Sequence, residues 1–169
     1  MNKRLAKIRI NPMFLNISQI CAHARMEEKD DTVKDFFYAN LEDLYDKCPD
    51  HDIKIVLGDF KANVGQEGIF GPTVGQFSLQ PTTSPNGVKL IDFAAARNIV
   101  VFNTRFQHLD IHKSTWLSPD RLTRNEIDQV VINGRYASIV LDVRTCRDLN
   151  VDSDHFFVAT KVRMRISTL

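Results

Sequence analysis

The run Ile53-Lys54-Ile55-Val56-Leu57 limits this chain's architecture more than any other stretch of its sequence. A strand with one wet face alternates apolar and polar residues, whereas a short continuous apolar run reads as a strand covered on both faces. Such a strand needs a layer on each side of its sheet, and 169 residues suffice to bury a core of that kind. The run ends at Gly58-Asp59, followed by an aromatic, Phe60, and then Lys61. An aspartate at the C-terminal tip of a strand reaches a ligand while the sheet holds its backbone. It serves equally well as a cap on the turn that follows.

The other periodicities alternate irregularly along the chain. From Met1 to Met26 there is no acidic residue, while Lys3, Arg4, Lys7, Arg9 and Arg25 are basic. That is the pattern of an organellar transit peptide, but "AKIRI" and "FLNISQICA" also read as two short strands joined by an Asn-Pro turn, and strands are expected. "DDTVKDFFYANLEDLYDKC" sets Val33, Phe36, Phe37, Leu41, Leu44 and Tyr45 at helical spacing, with Asp30 or Asp31 as N-cap and Pro49 beyond the end. Residues 61–86 hold seven glycines and prolines, and so read as a long loop of the functional or mobile kind. A helix is expected after Asn86-Gly87, a strand over "IVVFNT", a hairpin around Ser118-Pro119-Asp120 running into "IDQVVI", and two last strands over "SIVLDVRTC" and "HFFVATKVRMRI". Several strand pairs read as antiparallel, which implies a layered α/β or α+β sandwich around a mixed sheet. No repeat, low-complexity tract or linker divides it, so one domain is expected over residues 1–169.

Composition narrows the function classes only a little. A formal net charge of +1 is not that of a protein held on nucleic acid by charge alone, although a local basic face stays open. Cys21, Cys48 and Cys146 are odd in number and far apart, which argues against a disulfide framework or zinc site and for a reducing, intracellular compartment, nuclear or cytoplasmic. No apolar run reaches the length of a membrane span.

The residues with chemistry in them cluster near the C-terminus. "DSDH" sets Asp152, Ser153, Asp154 and His155 before the last strand. Carboxylate and imidazole together suit a hard metal ion or a water that must lose a proton; Ser153-Asp154 also reads as a plain turn. Asp128 lies within the apolar run "EIDQVVI", where a carboxylate is costly unless paired. His155 is the economical partner, since a carboxylate behind an imidazole fixes its tautomer; the alternative is an edge strand that turns Asp128 to solvent. Trp116 reads as core more than as ligand platform, Thr115 as an ordinary strand residue, and His108 and His112 as surface residues. Lys161, Arg163 and Arg165 alternate along a strand face that is either solvated or laid along a phosphate backbone.

Taken in order, "IVLGDF", "LIDFAAARNIVVFNTRF", "HKSTWLSPD", "TRNEIDQVVI", "VLDVRT" and "DSDHFFVATKVR" resemble the endonuclease/exonuclease/phosphatase family. Within it the chain is most similar to the apurinic-type endonuclease domains of non-LTR retrotransposons and the craniofacial-development-protein-2-like proteins derived from them. The resemblance runs from about Ile8 to Arg165. It implies a four-layered α/β sandwich and Mg2+-assisted hydrolysis of a phosphodiester, with DNA as the partner. Carried over position by position, Asp59 would activate the attacking water, Asp154 would assist with metal or water, and His155, held by Asp128, would contact the scissile phosphate. Thr115, Ser153 and His23 would contact phosphate oxygens. Such chemistry requires fixed donors and a cation around developing negative charge.

The departures from that pattern set further expectations. Lys61 stands where the family has Asn; a lysine offers only donors, and its charge would repel Mg2+ unless it turned outward and left the Asn role empty. His23 fits a Tyr/His position, but Arg25 and Met26 replace a Pro and a Thr. "SPDRLTRN" lacks the Gly usual in its turn. The family's first strands and the metal-binding Glu they carry have no counterpart, and Glu27 and Glu28 fall before a helix. The sequence is therefore read as an N-terminally truncated domain, a partial sandwich with an edge and an apolar face exposed and with weak or absent Mg2+ binding. Its expected function is DNA nicking at abasic or target sites by descent, weak or lost here. The alternative is a non-catalytic remnant that binds nucleic acid or protein.

Overall fold

The computed structural model describes residues 4–11, 15–24, 30–147 and 153–163. At its centre lies a five-stranded sheet in the order β1 (Leu5–Ile10), β2 (Ile17–His23), β3 (Ile53–Asp59), β7 (Asp128–Asn133), β4 (Ile99–Val101). β2 and β3 run parallel and the other neighbours antiparallel, so the sheet is mixed. The acid-free N-terminal stretch thus supplies two strands of the sheet. Arg9 ties them to the rest, its guanidinium donating twice to the buried Asp52 carboxylate at 2.8 and 3.0 Å. With Ser18 donating as well, that carboxylate is held down to about 2.

Helices α1 (Asp31–Asp46) and α2 (Pro85–Ala96) cover one face of the sheet. Asp30 caps α1, accepting from the Thr32 hydroxyl at 2.7 Å. Phe37, Leu41 and Tyr45, with Tyr38 beside them, meet Ile20, Val56 and Val131 of the sheet. Val33 and Phe36 face solvent although both fall at helical spacing, Phe36 because it lies about 100° around the helix from Phe37. Helix α2 starts earlier than Asn86-Gly87: Ser84 caps it by accepting from Gly87 N–H, and Pro85 takes the first position. Gly87 is needed inside the first turn, where a Cβ would stand 2.2 Å from the Asn63 carbonyl oxygen.

On the other face lies a second, two-stranded sheet of β8 (Val140–Cys146) and β9 (Phe157–Val162). Val140, Val143 and half-buried Val158 pack over Ile53, Val100, Val130 and Ile132. Strand β3 is therefore covered on both sides, as its apolar run requires. The second layer reaches only part of the way across. Ile132 is fully buried, Ile55 and Leu57 are half-buried, and on the far side Ile8 and Ile10 are 54% and 44% exposed. The described residues thus form a partial α/β sandwich of helices, mixed sheet and small sheet, with one apolar half-face open.

Three other expectations change in detail. The strand in "IVVFNT" stops at Val101, because Asn103 and Thr104 take over the hydrogen bonding with their side chains: Asn103 Oδ1 accepts from Val130 N–H, and the Thr104 hydroxyl donates to the Val101 carbonyl. The expected loop over residues 61–86 ends at Ser84, where α2 takes over; its one helical turn is the 3-10 segment Gly68–Phe70, and it is stitched together by bonds such as those from the Thr83 N–H and hydroxyl to Glu67. The hairpin forms between β5 (Trp116–Leu117) and β6 (Arg124–Asn125), and Arg121 sits at its tip with φ +61°, a left-handed conformation that suits glycine. Arg25, Met26, Glu27, Glu28, Asp152 and Arg165 lie outside the described residues. The three cysteines are unpaired, and no helix among the described residues is long and apolar enough to cross a membrane.

Candidate active site

Register brings the first three groups together. His23, at the end of β2, pairs with Asp59, at the end of β3, and Asp59 pairs with Asp128, the first residue of β7. Paired residues share a face, so all three project toward the side of the small sheet. Gly58 makes the approach of β2 and β3 possible: its φ is +142°, and a Cβ there would stand 1.9 Å from the Ala22 carbonyl oxygen.

The fourth group arrives from the C-terminal segment. Residues 154–156 pair with the strand at Trp116: Leu117 N–H donates to the Asp154 carbonyl, and Phe156 N–H to the Thr115 carbonyl. This sets His155 Nδ1 2.9 Å from Asp128 Oδ2, with His155 Nε2 4.0 Å from Asp59 Oδ2. An ionised carboxylate only accepts, so that bond assigns the proton to Nδ1 and leaves Nε2 turned toward Asp59. Asp128 is half-buried, and burial pushes its carboxyl up despite the opposing bonds from Thr115 and His155. Thr115 is fully buried, its Oγ1 accepting from Ile127 N–H at 2.9 Å and Asp128 N–H at 3.0 Å, which steadies the start of β7.

The remaining predicted residues ring this centre. His23 is exposed, with Nδ1 3.7 Å from Asp59 Oδ2. Ser153 is exposed, and its hydroxyl oxygen accepts from His155 N–H at 3.0 Å, the geometry of a serine turn. Asp154 accepts from Trp116 Nε1 at 2.8 Å, and chiefly that bond holds its carboxyl below the usual range. Lys61 turns inward, its Nζ 2.7 Å from Asp59 Oδ2 while its backbone N–H donates to Asp59 Oδ1 at 3.0 Å. A cleft of about 530 Å³ opens beside this centre, lined by Lys61, Asn63, Trp116, Asn125, Ile127 and Asp154 among others.

Some contributors were not visible in the sequence. Asn103 donates through Nδ2 to the Asp128 carbonyl at 3.1 Å, fixing the carboxylate's backbone from behind. Glu126 is buried and accepts from Leu79 N–H at 3.1 Å, fastening the long loop to the residues that lead into Asp128. Asn86 donates to the Lys61 carbonyl at 3.0 Å. A polar residue beside an apolar run, as in "VVFNT" and "NEIDQ", is the only signal that pointed to the first two. His108, read as a surface residue, is partly buried against Asp142 at 2.7 Å.

Asp59, Asp128 and His155 each place one ligand atom within 4.8 Å of the others, the spacing of a metal-binding group. As it stands, this set does not fit Mg2+. The ion takes six oxygens at about 2.0–2.1 Å, whereas here one carboxylate is committed to His155 and the other to an ammonium. An ion on Asp59 Oδ2 would lie no more than about 5 Å from Lys61 Nζ, and at an effective dielectric near 20 their repulsion is roughly 7 kcal/mol.

No family model matches the chain. In sequence it is similar to craniofacial development protein 2 of Tragulus javanicus, 31% identical over 170 residues that take in 99% of this chain and 29% of that protein. The chain thus spans under a third of that relative's length. In structure it is similar to the endonuclease domain of TRAS1, a telomere-specific non-LTR retrotransposon, with a TM-score of 0.65 at 13% identity over 96% of this chain and 65% of that one. The 3' phosphatase NExo from Neisseria, bound to product DNA hairpin, matches with the same TM-score at 15% identity, over 95% of this chain and 65% of that one. The fold is therefore that of endonuclease/exonuclease/phosphatase domains, and the likeness to craniofacial development protein 2 runs along almost the whole chain.

Proposed function

We propose that the pocket is a phosphodiester-handling site of the nuclease type, with DNA as its partner and with hydrolysis weak or lost in this chain. The observation that carries this reading is the Asp128–His155 pair with its free Nε2 turned toward Asp59. In that arrangement Asp128 orients the imidazole and stabilises its doubly protonated form, from which Nε2–H gives its proton to the leaving oxygen as the P–O bond breaks. Asp59 accepts the proton of an attacking water. Lys61 meets the phosphate's negative charge, and Ser153 and His23 stand at the rim to donate to its oxygens. Thr115 acts through Asp128. No step is routed through a divalent ion, since the donor set does not fit one while Lys61 is in place. The adjoining cleft suits the sugar or base beside the phosphate: Trp116 offers an aromatic face, and Asn63 Oδ1 is buried with no hydrogen-bond partner among the described residues.

A second reading, non-catalytic binding of nucleic acid through the same cleft, is favoured by one observation: Lys61 ties up the carboxylate that would otherwise act as base. Nicking of plasmid and of an abasic oligonucleotide by the purified chain, with Mg2+ or with chelator, separates the two. Cleavage that vanishes in His155→Ala supports hydrolysis at this site. Absence of cleavage in the chain together with cleavage by Lys61→Asn identifies Lys61 as the lesion. Oligonucleotide binding without cleavage in any variant favours the binding reading, and cleavage indifferent to His155→Ala refutes the site.

A further inference from the structure

Lys61 is not a lysine that merely happens to be near. Its φ is +50°, a conformation that side chains other than Asn and Gly rarely hold. Its backbone is pinned at both ends, the N–H on Asp59 Oδ1 and the carbonyl under Asn86 Nδ2. With Nζ on Asp59 Oδ2, one residue clasps both oxygens of one carboxylate. The side chain is only 24% exposed, and Asp59 only 11%. The oxygen that the ammonium holds is also the one nearest to His155 and His23. The other carboxylates of the pocket are engaged elsewhere, Asp128 by His155 and Asp154 by Trp116.

We infer that the Lys61 ammonium is the resident cation of this pocket, and that a divalent ion must compete with it among Asp59, Asp128 and His155, binding tightly only when that ammonium is removed. The carboxylates converge in space and need positive charge between them. In this chain that charge is covalently attached, singly charged and already paired, so an incoming ion must displace it. The inference goes beyond the nuclease reading and holds whether or not the pocket hydrolyses anything.

The probe is Mn2+ alone, titrated into the folded chain with the free ion counted by electron paramagnetic resonance. Four proteins are compared: wild type, Lys61→Asn, Lys61→Met, and Lys61→Asn with Asp59→Asn. Both single variants are expected to bind one ion at least about tenfold more tightly than wild type, because both remove the charge, and the added Asp59→Asn is expected to erase that gain. Wild type binding as tightly as Lys61→Asn overturns the inference. So does a gain in Lys61→Asn that Lys61→Met does not share, since the asparagine would then be adding a ligand and not removing a charge. A reading on the wild type alone guards against variants that fail to fold: followed by the broadening of its His155 ring signals in 1H–15N spectra, the wild-type dissociation constant for Mn2+ is expected to exceed about 1 mM. Saturable broadening of His155 with a constant well below that value refutes the inference even if no variant folds.

Discussion

Replacing Glu126 with glutamine should make the protein more stable at pH 8 and leave it nearly unchanged at pH 4.5. Glu126 is 3% exposed, and burial pushes its carboxyl from an ordinary 4.5 up to about 7, against the opposing bond from Leu79 N–H. The folded state thus holds a proton that the unfolded chain releases. Stability from this group is complete below the unfolded value and is lost as pH rises through the folded one. At about 1.4 kcal/mol per unit, the loss between pH 4.5 and pH 8 is on the order of 3 kcal/mol. Glutamine keeps an oxygen for Leu79 N–H and cannot ionise, so the gap between variant and wild type should open by that amount. For a chain of this size it corresponds to roughly 10 °C in melting temperature. Thermal unfolding followed by circular dichroism at the two pH values measures it. Other titrating groups, Asp128 and Asp52 among them, are common to both proteins and cancel in the difference. A gap of the same size at both pH values would refute the reasoning, because a pH-independent effect is one of packing and not of a buried charge.

Two further substitutions test the backbone. Gly58→Ala should cost about 3 kcal/mol or more in a denaturant titration, since its Cβ would meet the Ala22 carbonyl oxygen and its φ is one that L side chains rarely adopt; a loss below about 1 kcal/mol would mean that β2 and β3 separate easily at their tips. Arg121→Gly should raise the melting temperature by roughly 2 °C by relieving a left-handed arginine at an exposed hairpin tip, and no rise would show that the tip relaxes without help.

The layered fold was legible because one run of residues demanded it. "IKIVL" is apolar on both faces but for Lys54, and β3 is held between helices on one side and, over part of its length, the small sheet on the other. Helix α1 was legible from its cap and spacing, but not which aromatics it buried, since Phe36 and Tyr38 flank Phe37 equally in sequence and only the sheet chooses between them. The end of "IVVFNT" was hidden for a related reason: its apolar pattern continues into Phe102, while the break comes from where Asn103 and Thr104 send their side chains. For the candidate site, the cost of a carboxylate in an apolar run pointed to the Asp128–His155 pairing but left an edge strand with Asp128 in solvent equally open, and only the placement of β7 between β3 and β4 decides it. The two fates open to Lys61, outward to water or inward against the site, differ only by a side-chain torsion that no pattern encodes. Asn103 and Glu126 stayed invisible because they work from behind, through backbone atoms.

The uncovered half of the central sheet has a thermodynamic consequence. Among the described residues, Ile8 and Ile10 lie in water on β1, and across Gln19 of β2 stands Ile55, which like Leu57 is only half sheltered. Whatever settles on that face binds the folded chain and not the unfolded one, because only folding lines those side chains up. By mass action such an occupant at a hundred times its dissociation constant adds about 2.7 kcal/mol to the folding free energy. With such an occupant present, the melting temperature of this chain is not a constant of its sequence. It depends on concentration and company, and a value measured in one buffer at one dilution describes that solution as much as it describes the protein.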